Sequence, residues 1–447
     1  MKKALLASAI IVSAGAAASP WIMGSVAEQQ FSQAYEALKA QENQIVTLSE
    51  SSFERGYTTS KAKFTLNYSF PDNEIPPFAL VFESSVQHTP IATNESGTYF
   101  FEITSEDSVY LENISKEAQA TIDQYLGGKL FTGYSHVNLF GTGTTALSSQ
   151  AIDYKDEVAG VYAQVAPVTL SIEGNFLEEF GTLQLSIENS NFESPEAKFS
   201  IYGTTLDASF DKHESGLTVG SSAFNINEIN ALTPTGPLKL TNANISSNVD
   251  VVDNKFNNHA TFSIESIESM LPVHAVRYEI DFNGVSQEAM TLLEELNDKA
   301  EAFETAALEA DPIFGELINA TLQPGLELNQ EVEISAFDGK LFADLDVLFT
   351  GIEGVELDAL ANPELAPKAI KANFVARADN EAIFKTPAAP MIAEYVQQGL
   401  IKQTDTEVST EIKLVDGVLT INEQEIPLEQ VMQLVLMSMA AEEQNIQ

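Results

Sequence analysis

Histidine and cysteine are the side chains that most often bind metals or act as nucleophiles and bases, and this chain has few of them. It contains no cysteine, and its five histidines are scattered: His88, His136, His213, His259 and His274. No two stand at i, i+2 or i, i+4, so a metal site would need distant segments. The absence of cysteine removes disulfides, thiolate zinc sites and cysteine nucleophiles. We therefore predict no metal ligands.

Two glycine motifs match known catalytic or cofactor motifs only in part. Gly133-Tyr134-Ser135-His136-Val137 lacks the second glycine of a nucleophile elbow and falls within a strand pattern. Gly141-Thr142-Gly143 has no third glycine and no βαβ frame, so it indicates a hairpin turn rather than a dinucleotide loop. We predict no catalytic residue and no cofactor.

Carboxylates are abundant enough to mimic a site by chance. Pairs such as Glu178-Glu179, Glu294-Glu295 and Asp344/Asp346 have the residue types of glycosidase acids, but the chain holds 65 acidic residues in all. The Asn/Asp-rich stretch 242–254 could suit calcium, yet it lacks the spacing and bidentate glutamate of a calcium loop. A carboxylate-dependent glycan hydrolase is therefore the least favoured function.

Charge restricts the partners. Of the 447 residues, 22 are basic and 65 acidic, and 22 − 65 gives −43. Such a negative field repels phosphate backbones, which argues against nucleic-acid binding. The acids are spread over the whole chain, a pattern typical of a salt-adapted cell and one that keeps a sheet-rich chain soluble.

The N-terminus has the pattern of an export segment. Lys2 and Lys3 precede an apolar stretch from Ala4 to Ala18, and cleavage could fall before Ser19. The favoured interpretation is that the 20 residues 4–23 form an uncleaved anchor that attaches the protein to the inner membrane, with Trp21 at the outer interface. Both interpretations place the remainder in the periplasm.

The rest of the chain is expected to form an α+β protein with a large curved antiparallel β-meander, an N-terminal helix, a central amphipathic helix at about 285–310 and C-terminal helices. Alternating strands separated by tight turns predict antiparallel pairing, because a parallel crossover needs a dozen or more residues. The expected organisation is a signal or anchor (1–23), a helical stalk and junction (24–60), a sheet domain (61–350) with a helical insertion (285–323), and a C-terminal α+β segment (351–447) that completes the same fold.

Two helical segments carry apolar side chains that could bind a ligand or a partner. The 285–310 helix has an apolar stripe at spacings of three and four, and the helix expected from Pro427 is apolar nearly all round and rich in methionine. Core packing is the competing interpretation of both segments. The candidate surface consists of Leu293, Leu296, Phe303, Met432, Met437 and Met439.

Two motifs carry a family resemblance. The stretch 52–62, with Phe53-Glu54-Arg55-Gly56-Tyr57, resembles the opening of the YdgA-like family of bacterial envelope proteins, a domain of unknown function. The stretch around Gly399, Asp416-Gly417 and Asn422 resembles its C-terminal signature, except that Glu423 replaces the usual glycine. The resemblance implies a Gram-negative inner-membrane or periplasmic protein without established catalytic residues.

The favoured function is a non-enzymatic, exported cell-envelope protein that acts by binding. A sheet with one apolar face must cover that face, and an incompletely covered face would accept a lipid or another hydrophobic ligand. The alternative is a scaffold that pairs with another copy or with an envelope partner.

Overall fold

The computed structural model is mostly antiparallel sheet with few helices. It describes residues 20–39, 42, 45–70, 76–89, 91–94, 97–100, 102–138, 141–175, 180–234, 236–270, 272–300, 312–355, 357, 359, 362 and 365–427. The chain divides into two compact units. One comprises residues 1–235 and 297–305, and the other comprises residues 236–296 and 306–447.

The first unit contains two helices and fourteen strands among its described residues. In chain order they are α1 Pro20–Lys39, β1 Val46–Arg55, β2 Thr59–Tyr68, β3 Phe78–Gln87, β4 Ile91–Asn94, β5 Gly97–Phe100, β6 Ile103–Glu112, α2 Lys116–Leu126, β7 Phe131–Val137, β8 Thr142–Ser148, β9 Ile152–Asp156, β10 Val161–Val165, β11 Val168–Asn175, β12 Phe180–Glu193, β13 Lys198–Lys212 and β14 Thr218–Thr233.

Neighbouring strands of this unit pair antiparallel in the order β1-β2-β3-β6-β7-β8-β11-β12-β13-β14. Strand β10 pairs with β9 and with the second half of β12, and β4 and β5 form a separate hairpin. Each pair of neighbouring strands is joined by a hairpin turn or by a short connecting segment, as expected for antiparallel pairing.

Helix α1 packs on the sheet and is not the exposed stalk that the sequence suggested. Met23, Ala27 and Phe31 are buried, and their spacing of four residues places them on one side of the helix. They share a core with Ala62 and Phe64 of β2, and the ring of Phe64 stacks on Phe82 of β3 at 4.5 Å. Strand β1 occupies most of the segment expected to be a junction.

The second unit consists of a broad sheet with short helices. Its elements are β15 Gly236–Val252, β16 Lys255–Glu268, β17 Val273–Ser286, α3 Gln287–Ala300, α4 Pro312–Thr321, β18 Leu326–Ala336, β19 Gly339–Phe349, a 3₁₀ turn Ala366–Lys368, β20 Ile370–Asp379, α5 Asn380–Ile383, α6 Ala389–Gln397, β21 Lys402–Gln403, β22 Glu407–Val415, β23 Val418–Ile421 and β24 Gln424–Ile426. Pairing is antiparallel in the order β15-β16-β17-β18-β19-β20-β22-β23-β24, and β21 is added to β22.

Five of the long strands contain a point at which the side-chain alternation reverses. In β13 the apolar residues before Gly203 are odd-numbered and those after it are even-numbered, and Gly203 itself has a left-handed φ of 63°. In the other unit Asn242 of β15 has a φ of 52°, and the apolar positions of β15 change from even to odd there. The pairing continues without a register shift on either side. A single left-handed residue therefore restores the apolar side chains to one face.

The reversal extends sideways through the paired strands. Gly203 lies opposite Glu188 of β12 and Asn227 of β14, and Asn242 lies opposite Glu265 of β16. The Asn242 side-chain amide donates to the Glu265 carboxylate. A Cβ on Gly203 would fall 2.1 Å from the amide nitrogen of Asn227. We call the two lines of reversal, one through Gly203 and one through Asn242, the creases. Polar side chains occupy both creases.

Candidate functional site

The opening motif fastens α1 to the sheet. The Phe53 ring packs against Phe31 of α1 with centroids 5.6 Å apart, and Arg55 at the end of β1 donates through Nη1 to the Ser25 hydroxyl (2.6 Å) and the Glu28 carboxylate (3.1 Å). The junction expected within residues 24–60 is therefore partly strand, because Glu54 and Arg55 end β1.

The next two motif residues form the turn into β2. Tyr57 is 70% exposed, and a Cβ on Gly56 would lie 2.2 Å from the carbonyl oxygen of Thr59. The turn therefore has no room for a side chain at Gly56. Together with the contacts of Arg55, this gives the motif a structural role at the junction of helix and sheet.

A histidine and a serine lie beneath the start of α1. His88 and Ser60 are both buried, and the Ser60 hydroxyl is 2.9 Å from His88 Nε2. His88 Nδ1 lies 2.9 Å from the Pro20 carbonyl oxygen, which can only accept, so Nδ1 carries the proton and Ser60 donates to Nε2 of the neutral ring. Burial, with a smaller effect of Arg55, lowers the pKa of His88.

The Ser60 hydroxyl and the His88 ring resemble a nucleophile and its base, but they lie within a packed contact between α1 and the sheet. Gly24 of α1 rests on the imidazole, and a Cβ there would lie 2.8 Å from Cε1. A substrate could not reach Ser60 without displacing the helix. We name this arrangement of Pro20, Gly24, Ser60 and His88 the helix latch.

A carboxyl surrounded by hydroxyls lies on the same sheet. Asp107 of β6 accepts from Ser135 (2.5 Å) and Ser105 (3.1 Å) and from Ser84, and Thr145 donates to Ser135 (2.9 Å). Burial raises the pKa of Asp107, and the hydroxyl bonds oppose that rise. Sequence reasoning missed the cluster because its members come from four strands. The available signal was the run of serines at inward-facing positions.

The C-terminal signature residues hold separate turns of the second unit. The side-chain oxygen of Asn422 accepts from the Glu411 backbone (3.1 Å), and its amide donates to the Leu400 carbonyl (2.9 Å) just after Gly399. Asp416 and Gly417 have φ values of 51° and 81°, as a two-residue hairpin turn between β22 and β23 requires. These residues hold the turns and strands of the second unit together.

The sheet of the second unit has one apolar face. Directly opposite residues on successive strands form rows across β15 to β23. The two central rows are Ile245, Phe262, Tyr278, Val332, Ala343, Ala376 and Thr410, and then Ser247, Ala260, Ile280, Gln330, Leu345, Phe374, Ile412 and Ile421. A third row contains Phe282, Leu328, Val347, Ala372, Leu414 and Leu419. We call this surface the apolar face.

The centre of the apolar face is only half-buried, whereas its margins are closed. Phe374, Leu345 and Ile280 are half-buried, and Ile245 is 54% exposed. The buried apolar residues described in this unit stand at the strand ends and in the adjoining segments: Phe256, Val285, Ala289, Ala320, Leu326, Phe349 and Ala369 at one end, and Ala336, Ala382 and Val408 at the other. The central rows therefore leave part of the apolar face accessible between two packed ends. We call this accessible part the apolar strip.

The opposite face is polar and acidic. One row contains Thr261, Glu279, Glu331, Asp344 and Val375. Burial and then the charge of Asp346 raise the pKa of Asp344. The sheet is thus amphipathic, and its acidic pair Asp344/Asp346 lies on the face away from the apolar strip.

The apolar residues named from sequence fall elsewhere. On α3, Ala289 is buried, Leu293 is 48% exposed and Leu296 is half-buried, so among the side chains described on this helix the closest packing is at its start. Phe303, Met432, Met437 and Met439 lie outside the described residues. Periodicity emphasised these helices, whereas the continuous rows of apolar side chains in the described part of the second unit lie on strands.

The described part of the chain contains no group of three or more histidine or acidic side chains arranged to hold a metal ion. Asp250 of the Asn/Asp-rich stretch accepts instead from Asn257 (3.3 Å). No described helix combines the length and hydropathy needed to cross a membrane.

The chain belongs to a family of bacterial proteins of unknown function, described as "Bacterial protein of unknown function (DUF945)", whose match covers residues 1–341. The match includes the opening motif and ends before the C-terminal signature residues. No curated protein and no solved structure matches the chain.

Proposed function

We propose that this protein is an exported envelope protein of the YdgA-like type that binds a long apolar ligand on the apolar face of its second unit. The single observation that carries the proposal is the apolar strip, which is half-buried along its centre and closed at both ends. Binding sites for small molecules are predominantly apolar surfaces with few polar groups. No catalytic step is assigned.

The dimensions suit an extended ligand. Strands β18 and β19 each contain 11 residues, which corresponds to about 36 Å of strand at ~3.3 Å per residue. The seven strands from β15 to β22 that bear the central rows span about 30 Å at ~4.8 Å per spacing. A chain-like hydrocarbon could lie along this strip and remove apolar side chains from water.

A second copy of the protein is the competing occupant of the face, and charge disfavours it. Each chain carries a net charge of −43, so two copies brought face to face repel each other. A neutral apolar ligand incurs no such repulsion. The ligand hypothesis is therefore preferred to the scaffold.

The test is lipid analysis of the protein purified without detergent. We expect organic extracts of the wild type to contain a stoichiometric apolar compound by mass spectrometry. Phe374→Thr should reduce its content about tenfold through loss of contact area. The matched control is Val375→Thr, the next residue on the opposite face, which should retain the compound.

Two outcomes would overturn the proposal. One is an extract from correctly folded wild type that contains no co-purifying compound. The other is a dimer by light scattering that Phe374→Thr converts to a monomer, because a second copy would then occupy the apolar face.

The position of α1 bears on export. Pro20 contributes to the helix latch and Met23 is buried in the core, so both belong to the folded unit. The apolar stretch left for the membrane is 4–19, or 16 residues, whereas a spanning helix needs about 20. We therefore favour a cleaved signal.

Intact mass of the exported protein should give Ser19 as its first residue, and retention of residues 1–18 would contradict cleavage.

A further inference from the structure

We infer that Gln330 selects a ligand with a carbonyl group part-way along its apolar length, such as an acyl ester or amide. This inference rests on the proposed function. Gln330 lies on β18 in the middle of the apolar face, directly opposite Ile280 of β17 and Leu345 of β19. Along its own strand the neighbours on the same face are Leu328 and Val332.

The apolar face has few other polar members, among them the Tyr278 hydroxyl, and two of these members have partners within the unit. Asn258 accepts from the Ser247 hydroxyl (2.9 Å), and Thr410 donates to the Leu400 carbonyl (2.9 Å). Among the described residues, the Gln330 side-chain amide has no hydrogen-bond partner, and Gln330 is half-buried.

A ligand that covers Gln330 must replace the water on its amide. A pure hydrocarbon would leave the amide N–H groups unsatisfied in an apolar environment, which costs free energy. An ester or amide carbonyl accepts from one of these N–H groups and reduces that cost. One polar group placed within an apolar site commonly fixes the position of the ligand. The geometry therefore favours a hydrocarbon interrupted by a carbonyl.

The test uses delipidated full-length protein and two matched probes, hexyl decanoate and hexadecane, supplied from cyclodextrin and measured by gas chromatography after equilibrium dialysis. We expect the wild type to bind the ester about tenfold more tightly than the alkane, which corresponds to about 1.4 kcal/mol. Gln330→Leu should abolish that preference by strengthening alkane binding. Glu331→Gln, on the opposite face, should keep it.

The outcomes separate the inference from the proposed function. If the wild type binds neither probe, the proposed function fails. If it binds both equally, or if Gln330→Leu leaves the preference unchanged, the role of Gln330 is refuted while binding on the apolar face stands. Gln330→Met provides a second variant of similar length should Gln330→Leu fold poorly.

Discussion

At the scale of single residues, the turn between β23 and β24 departs from the backbone preference of its sequence. Asn422 and Glu423 both have left-handed φ values, 51° and 74°. Asparagine tolerates this region, but a glutamate there is strained by about 1 kcal/mol or more. The family-like signature has glycine at this second position, which the turn geometry explains.

We predict that Glu423→Gly stabilises the protein by about 1 kcal/mol, because glycine removes the strain. Urea unfolding followed by circular dichroism would measure the midpoint. The control is Gly417→Ala in the neighbouring hairpin, where φ is 81°, and that change should lower the midpoint. An unchanged or lower midpoint for Glu423→Gly would show that its side chain contributes more than the strain costs.

At the scale of strands, we predict that Gly203→Ala lowers the unfolding free energy by about 2 kcal/mol or more, because it combines left-handed strain with a close approach to Asn227. Asn242→Gly, at the equivalent crease of the other unit, should change stability by less than about 1 kcal/mol, because glycine adopts the same φ freely. Equal losses for the two variants would exclude backbone strain as the cause.

The creases also explain what the sequence could predict. The strict alternation of Phe64, Leu66 and Tyr68 is the period-two pattern of a half-buried strand, and all three residues lie on β2. In β13 and β15 the alternation changes parity within a continuous strand, so a single period could not assign their apolar side chains to one face. The apolar face itself depends on register across several strands, and pairwise register is not contained in the period of any single segment.

The contact between α1 and the sheet requires a neutral His88 ring. The stability that the helix latch contributes therefore depends on pH. The folded-state pKa of His88 lies below the ordinary value of 6.5, with burial as the main cause. Between these two values the unfolded chain binds more protons than the folded chain, so stability rises with pH. The contribution of the latch is complete above pH 6.5 and is lost as the pH falls through the lowered pKa.

We predict that His88→Gln flattens the rise in unfolding free energy between pH 5 and pH 7. Urea titrations at several pH values would measure the slope, and His274→Gln, at an exposed histidine, should leave it unchanged. The raised pKa of Asp107 acts in the opposite direction, but it is common to all three proteins. A slope in His88→Gln equal to that of the wild type would mean that the latch does not sense pH.

At the scale of the whole molecule, repulsion among acids outweighs local pairing. The described ion pairs include Arg55 with Glu28, Lys340 with Glu333 and Lys413 with Glu411, and their side chains remain partly or largely exposed. Exposed pairs contribute little. The net charge of −43 acts over the entire surface, and rows such as Glu279, Glu331 and Asp344 place like charges directly opposite one another.

We therefore predict that NaCl stabilises the protein, although salt weakens individual ion pairs. Raising NaCl from about 0.02 M to about 0.5 M shortens the screening length well below 10 Å and suppresses repulsion between acids. A gain of about 1 kcal/mol in either unit, each of roughly 200–250 residues, would raise the melting temperature of that unit by ~2–4 °C. Scanning calorimetry should show the rise with NaCl and KCl alike and saturation near 0.5 M, because screening saturates while preferential exclusion of salt does not. A fall in melting temperature would show that local ion pairs outweigh the field of the whole chain.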